Sequence, residues 1–250
     1  MAIGRTNCGA GGSIGGLPQF TYTGDYTLLD DGDKNWRIKL LTSGTLTFTK
    51  APGFVDLFLV GAGGTTGSDD NSSKTSYSGA GSGYTITRTA ELFKESYEIS
   101  IGASPTTVGD GGDTSITGTG VNFTAPGGKK GTLAGPGGDG ASGGGAAQKS
   151  GSKNGASGGS DGSDGGATAN LGGKGQGTTT REFGELSGDL YSPGGGAGRG
   201  YSSSWGTAGS PGEGLTGSNS GAGGTADPSD ADKRIGGSGI VIIRNHREAA

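Results

Sequence analysis

The chain has 250 residues, of which 62 are glycine and only 28% apolar, where an ordinary protein has about 7% glycine and about 45–50% apolar residues. That excludes a large enzyme built on one conventional core, and no run approaches the roughly 20 apolar residues that span a bilayer. The net charge of −4, from 19 basic and 23 acidic residues, gives no electrostatic footprint for nucleic acid and no basic patch for an acidic membrane.

The first residues, Met1-Ala-Ile-Gly-Arg-Thr-Asn-Cys8, lack the apolar core of a secretory signal. Cys8 is the single cysteine, so no internal disulfide forms. From residue 17 the chain reads as β. Residues 20–23, 36–40, 45–50, 54–60, 84–88, 97–101 and 121–124 alternate apolar and polar side chains, as half-buried strands do. Turn chemistry separates them, with Asp30-Asp-Gly-Asp33 before Trp36 and Pro52-Gly53 between two strands. Residues 89–96 alone could be helical, and they are too few for an independent helix. Parallel α/β architecture needs crossover helices, and none is visible. The expectation is an all-β fold: a small antiparallel β-sandwich or sheet over residues 17–126, without significant α-helix.

Residues 127–239 hold 39 of the glycines. Their few large apolar side chains cannot offset a backbone ordering cost of about 1–2 kcal/mol per residue. Such a tract is either disordered or ordered through its own backbone. Glycines recur every third residue at Gly159/Gly162/Gly165, Gly206/Gly209/Gly212 and Gly236/Gly239, and they double at Gly127-Gly128 and Gly158-Gly159. A left-handed extended helix has three residues per turn, so this spacing bares one or two edges for close neighbours. Collagen fails because its register would be unbroken and richer in proline. The expectation is a polyglycine II-like helical bundle over 127–239, closed by a strand and tail at 240–250. An exposed Ile240-Val-Ile-Ile243 would be an edge liability. It should therefore return to the front sheet beside residues 54–60.

Motifs for chemistry are weak. Three G-x-G-x-x-G matches, such as Gly135-Pro-Gly-Gly-Asp-Gly140, fall in glycine-dense sequence and open no helix. Gly-Lys at 128–129 and 173–174 lacks the Ser or Thr of a P-loop. Asp31-Gly-Asp33-Lys-Asn35 begins like a calcium loop, but Trp36 and Thr42 stand where its glycine and glutamate belong. Asp161 and Asp164 lack the apolar position of calcium-binding glycine repeats. His246 is the only histidine and lies near the end of the chain. The reading is a protein that is not an enzyme and takes no cofactor, with no residue nominated as a metal ligand. Interruptions of the glycine tract are more informative. Residues 178–191, 200–206 and 225–235 should project as loops. Aromatic faces among hydroxyls and carboxylates suit sugar rings, which nominates Arg181, Phe183, Tyr191, Tyr201 and Trp205 as receptor-binding residues. The alternative is that Tyr191, Tyr201 and Trp205 simply cover the bundle edge.

The opening Met1-Ala-Ile-Gly-Arg-Thr-Asn-Cys-Gly-Ala-Gly-Gly12 resembles the start of tail-fibre proteins of phages and prophages of Gram-positive gut bacteria. Ser43-Gly-Thr-Leu-Thr-Phe48, Val55-Asp-Leu-Phe-Leu-Val-Gly-Ala-Gly-Gly64 and Gly236-Gly-Ser-Gly-Ile-Val-Ile-Ile-Arg244 are similar to glycine-rich domains of such fibres. The resemblance implies a virion protein of the phage tail. Residues 1–16 would attach it to other tail proteins, it would form a homo-oligomer, a trimer as in many fibres, and tip loops would bind a host cell-surface receptor. A structural or decorating virion protein without receptor binding is the alternative.

Overall fold

The computed structural model of the chain describes residues 2–4, 16–67, 76–147, 155–159, 162–166, 180–198, 211–226 and 231–247. Among the described residues, eleven strands build two antiparallel sheets. The strands are β1 (Ala2–Gly4), β2 (Phe20–Tyr22), β3 (Tyr26–Gly32), β4 (Asn35–Leu40), β5 (Gly44–Phe48), β6 (Gly53–Val60), β7 (Thr85–Leu92), β8 (Ser96–Ser100), β9 (Thr114–Gly118), β10 (Val121–Ala125) and β11 (Ile240–Asn245). One sheet runs β1-β3-β4-β11-β6-β7 and the other β10-β9-β8-β5-β2. Helical structure among the described residues is two short 3₁₀ turns, Glu182–Gly184 and Asp232–Arg234. Residues 89–96 finish β7, turn, and enter β8.

Alternation sets the core. Trp36, Ile38 and Leu40 of β4, Val55, Leu57 and Leu59 of β6, and Val241 and Ile243 of β11 face inward. They meet Leu46, Phe48, Tyr97, Ile99 and Ile116 from the other sheet. As expected from its apolar run, β11 returns to pair with β6, Ile240 opposite Val60, and it also pairs with β4 on its other side. Three strands were not legible. β3 breaks alternation at Leu28-Leu29, β9 carries one large apolar residue, Ile116, and β1 is three residues long.

The glycine-rich segments leave the sandwich from one end. Val60 lies opposite both Thr85 and Ile240, Ser100 opposite Ser115, and Thr114 opposite Ala125. Beyond these strand ends the chain bonds through its backbone in a regular order. Gly61 and Gly64 donate to Tyr84 and Gly81, Ala62 and Thr65 to Gly112 and Gly109, and Gly63 and Thr66 to Gly237 and Arg234. Each third residue thus returns to the same neighbour, and the partner number falls by three as the donor number rises by three. Residues 78–84 repeat the order. Ser78, Gly81 and Tyr84 donate to Thr132, Lys129 and Pro126, Gly79 and Ser82 to Gly145 and Ser142, and Ala80 and Gly83 to Gly224 and Gly221. The same segment accepts from Gly64, Gly138 and Gly195.

Such close neighbours leave no room for side chains. A Cβ on Gly61, Gly63, Gly79, Gly81 or Gly83 would collide with the carbonyl of Pro126, Ala222, Gly195, Asp139 or Gly61 respectively. Where a side chain enters the lattice it is small, and its hydroxyl bonds the backbone: Thr66 Oγ1 donates to Ser78 O (2.6 Å), and Ser82 Oγ accepts from Ser142 N–H (2.8 Å). The surface positions Pro126, Lys129, Leu133, Pro136 and Asp139 carry the larger groups.

Segments 61–66, 78–84 and 109–112 belong to this lattice, although sequence density placed them in the β-domain ending at 126. The glycines at 61, 63, 64, 79, 81 and 83 are too few to raise the local count, yet they stand where backbones touch.

Candidate functional site

The glycine-poor interruption at 180–191 does not project. It forms a hairpin that lies on the outer face of the six-stranded sheet. Glu182 N–H donates to Asp189 O (2.9 Å), Tyr191 N–H to Thr180 O (2.8 Å), and Gly188 N–H closes the turn on Glu185 O (2.9 Å). The sheet face beneath is amphipathic along its length. Phe58, Val60, Ile240 and Ile242 form an apolar stripe near the lattice. Arg37, Lys39, Asp56 and Arg244 point outward beyond it, since their neighbours on each strand point in.

The hairpin matches both parts. Tyr191 is 1% exposed and packs on the stripe, its ring 5.4 Å from that of Phe58. Phe183 sits 5.9 Å from Phe58 on a tilted ring and takes the Arg244 guanidinium over its face at 4.1 Å. Its backbone is left-handed, with φ 55°, and Gly184 follows at φ 74°. That conformation costs a bulky residue about 1–2 kcal/mol, and it turns the ring down onto the sheet. Arg181 donates to Leu186 O and Gly188 O within the hairpin.

Charge closes the contact. Glu182 is 1% exposed and accepts from Arg37 Nη1 and from Lys39 Nζ (3.0 Å). Lys39 also reaches Tyr191 Oη (3.2 Å) and Asp189 (3.5 Å). Arg244 bridges Asp56 (3.1 Å) and Glu185 (2.6 Å), and the second Asp56 oxygen meets His246 Nδ1 (2.7 Å) and Thr89 Oγ1 (2.9 Å). Asp31 holds Arg37 and Arg247. Burial alone would raise the Asp56 pKa, but hydrogen bonds from His246, Thr89 and Arg244 outweigh it and hold the carboxyl below its ordinary value. Asp31 is lowered in the same way by Arg37 and Arg247. Burial pushes the Tyr191 phenol up to about 12, and Lys39 is raised because Tyr191 and Glu182 outweigh its burial.

These directions give a sign. Carboxyls lowered in the folded state stabilise it above the unfolded carboxyl pKa of about 4 and lose that contribution as pH falls through the folded values. The melting temperature should therefore stay level from about pH 7 to about pH 5 and fall below about pH 4. Asp56→Asn should flatten that acid limb. An Asp56→Asn protein with the wild-type melting temperature and the wild-type acid slope would remove Asp56 from the account.

Of the residues nominated from sequence, Arg181, Phe183 and Tyr191 are thus brought together, and Tyr201 and Trp205 lie outside the described residues. The expectation that Tyr191 offers an aromatic face from a projecting loop is corrected: its ring is covered by the sheet. Glu182, Arg37, Lys39, Asp56 and Arg244 went unnoticed, though outward Arg37 and Lys39 are visible in the alternation of β4. The calcium-like Asp31 is occupied by guanidinium groups. Asp164 accepts from Gly158 N–H (2.6 Å), and Asp161 lies outside the described residues. Among the described residues, no group of three or more His, Cys, Asp or Glu could hold a metal, and no helix is long and apolar enough to cross a membrane.

Two antiparallel sheets carrying a side-chain-poor, backbone-bonded extension define an all-β, glycine-rich protein. Residues 41–246 match the family model of the glycine-rich domain, and the chain belongs to that family. No curated protein and no solved structure matches it.

Proposed function

We propose that the chain is a structural protein of a phage tail fibre or tail tip. In this reading it binds a host cell-surface glycan through its glycine-rich domain, and its work is attachment, not catalysis. The observation that carries the reading is the common direction of the lattice: all its strand connections leave one end of the sandwich, while Arg247 and the β3–β4 turn lie at the other. A body with that polarity can be held at one end and present the other. The return of every third residue to one neighbour supports a polyglycine II-type bundle, whose helices have three residues per turn and rise about 3.1 Å per residue. Backbone pairing on all sides supplies stiffness without a large core.

Docking of the 180–191 hairpin moves the expected sugar contacts to Tyr201 and Trp205. The test uses labelled full-length protein, cells of Gram-positive gut bacteria and their purified cell-wall polysaccharides. Tyr201→Ala with Trp205→Ala should lower binding at least about tenfold, a loss of roughly 1.4 kcal/mol, with an unchanged melting temperature. A wild type that binds neither cells nor polysaccharide would overturn the receptor assignment, and unchanged binding in the double variant would remove Tyr201 and Trp205 from it. A second reading, a structural or decorating virion protein without a receptor, is favoured by the burial of Tyr191, and would be left standing by a wild type that does not bind.

A further inference from the structure

A buried carboxyl and a solvent-facing carboxyl meet on one lysine nitrogen. Lys39 points outward from β4, and its Nζ lies 3.0 Å from Glu182 Oε2 and 3.5 Å from Asp189 Oδ2. Both carboxyls come from the 180–191 hairpin, whose arms bridge at Arg181 and Leu190. Glu182 and Asp189 flank that bridge, and the Glu182 N–H donates to the Asp189 carbonyl (2.9 Å). The fold therefore sets two side chains over a lysine that is 143 and 150 residues away in sequence.

The two carboxyls differ. The Glu182 side chain is 2% exposed, and its other oxygen, Oε1, is held by Arg37. The Asp189 side chain is 56% exposed, and among the described residues Lys39 is its one side-chain partner. Glu182 is thus a proton carrier shielded from water and balanced by Arg37, whereas Asp189 is a carboxyl free to change its bonding. Tyr191 Oη, 3.2 Å from Nζ, closes a further side. An amine and a carboxyl held in contact react as one molecule, without the cost of bringing them together. Joining them removes one cation and one anion from the cluster and leaves Arg37 matched with Glu182, so no charge is stranded.

We infer that Lys39 and Asp189 condense to an isopeptide bond, with Glu182 carrying the protons. The ammonium gives a proton to Glu182, and the freed Nζ lone pair attacks Asp189 Cγ. Glu182 passes that proton, and then a second from the same nitrogen, to the departing Asp189 oxygen. The N–C bond forms, the C–O bond breaks, and one water leaves on the exposed side of Asp189, so the step needs no other reactant. The ion pair with Glu182 helps hold Lys39 protonated, so the bond forms slowly, after folding, from the ion-paired state described above. It staples the hairpin to β4 and links residues 150 apart, which constrains the unfolded chain.

The intact mass of the full chain, fresh and after days at neutral pH, tests this together with peptide mapping. Aged wild type should be lighter by one water. Trypsin should leave it uncut after Lys39 and release a branched peptide that joins the Lys39 and Asp189 segments. Lys39→Arg and Asp189→Ala should keep their full mass. Glu182→Gln should keep it too, at a temperature where its circular dichroism spectrum is that of wild type. An aged wild type at full mass overturns the inference. So does a branch at Glu182 in place of Asp189, or a water loss that persists in Asp189→Ala, as a succinimide at Asp31-Gly32 would give. The Lys39–Asp189 branch appearing in Glu182→Gln overturns the part given to Glu182.

Discussion

Gly79→Ala is expected to lower the melting temperature of the full chain by about 6–12 °C, the shift that about 3 kcal/mol produces in a chain of this size. Gly79 sits in segment 78–84, which bonds backbone neighbours in several other segments. Its N–H donates to Gly145 O, its carbonyl accepts from Gly138, and a Cβ there would strike the Gly195 carbonyl. No flexible side chain can move aside, because every colliding atom is backbone. Either the 193–196 segment retreats, losing the Gly195 to Ala80 hydrogen bond, or the strain stays. Gly120→Ala makes the comparison. Gly120 has φ 75° with nothing within 4 Å of an added Cβ, so its substitution carries only the left-handed penalty of about 1–2 kcal/mol. Thermal unfolding of both proteins decides the matter, and a Gly79→Ala chain that melts with wild type removes the close backbone packing from the argument.

The same contrast explains which parts of the fold were legible. Alternation at 36–40, 45–50 and 97–101 announced strands because those strands bury one face. The runs at 54–60 and 240–243 carried a stronger message than strand alone. Phe58, Val60, Ile240 and Ile242 are apolar on the side away from the core, so something had to cover them. That cover is the 180–191 hairpin, whose Phe183 and Tyr191 supply the apolar contact and whose Glu182 and Glu185 meet Arg37 and Arg244. Its low glycine content argued for projection, and the hairpin instead lies on the sheet. Composition tells which segments cannot enter a backbone lattice; it says nothing about a second surface that accepts them. The lattice's true beginning at Gly61 was hidden for a related reason. Glycine is needed only where carbonyls approach, and Ala62, Thr65, Ser78, Ala80 and Ser82 are tolerated between.

Glu182→Ala should release that cover. Glu182 is almost fully buried and neutralises Arg37 and Lys39, whose side chains are 29% and 18% exposed. Breaking one partner from a buried ion cluster typically costs about 3–5 kcal/mol, because the remaining charges lose their compensation. Here Arg37 keeps Asp31, and Lys39 keeps Asp189 and the Tyr191 hydroxyl. Both cations also retain partial access to water, so about 2–3 kcal/mol is expected. Glu182→Gln retains the shape and one acceptor, and should lose roughly half as much. The local reading is hydrogen exchange. The Tyr191 and Glu182 amides, which donate to Thr180 and Asp189, should lose protection in Glu182→Ala more than the amides of β5 and β8 do. Arg37→Ala combined with Glu182→Ala should cost less than the sum of the two single changes by more than about 0.5 kcal/mol, since they share one contact. If the hairpin amides keep wild-type protection in Glu182→Ala, the aromatic contacts of Phe183 and Tyr191 with Phe58 hold the cover alone, and the ion cluster only tunes it.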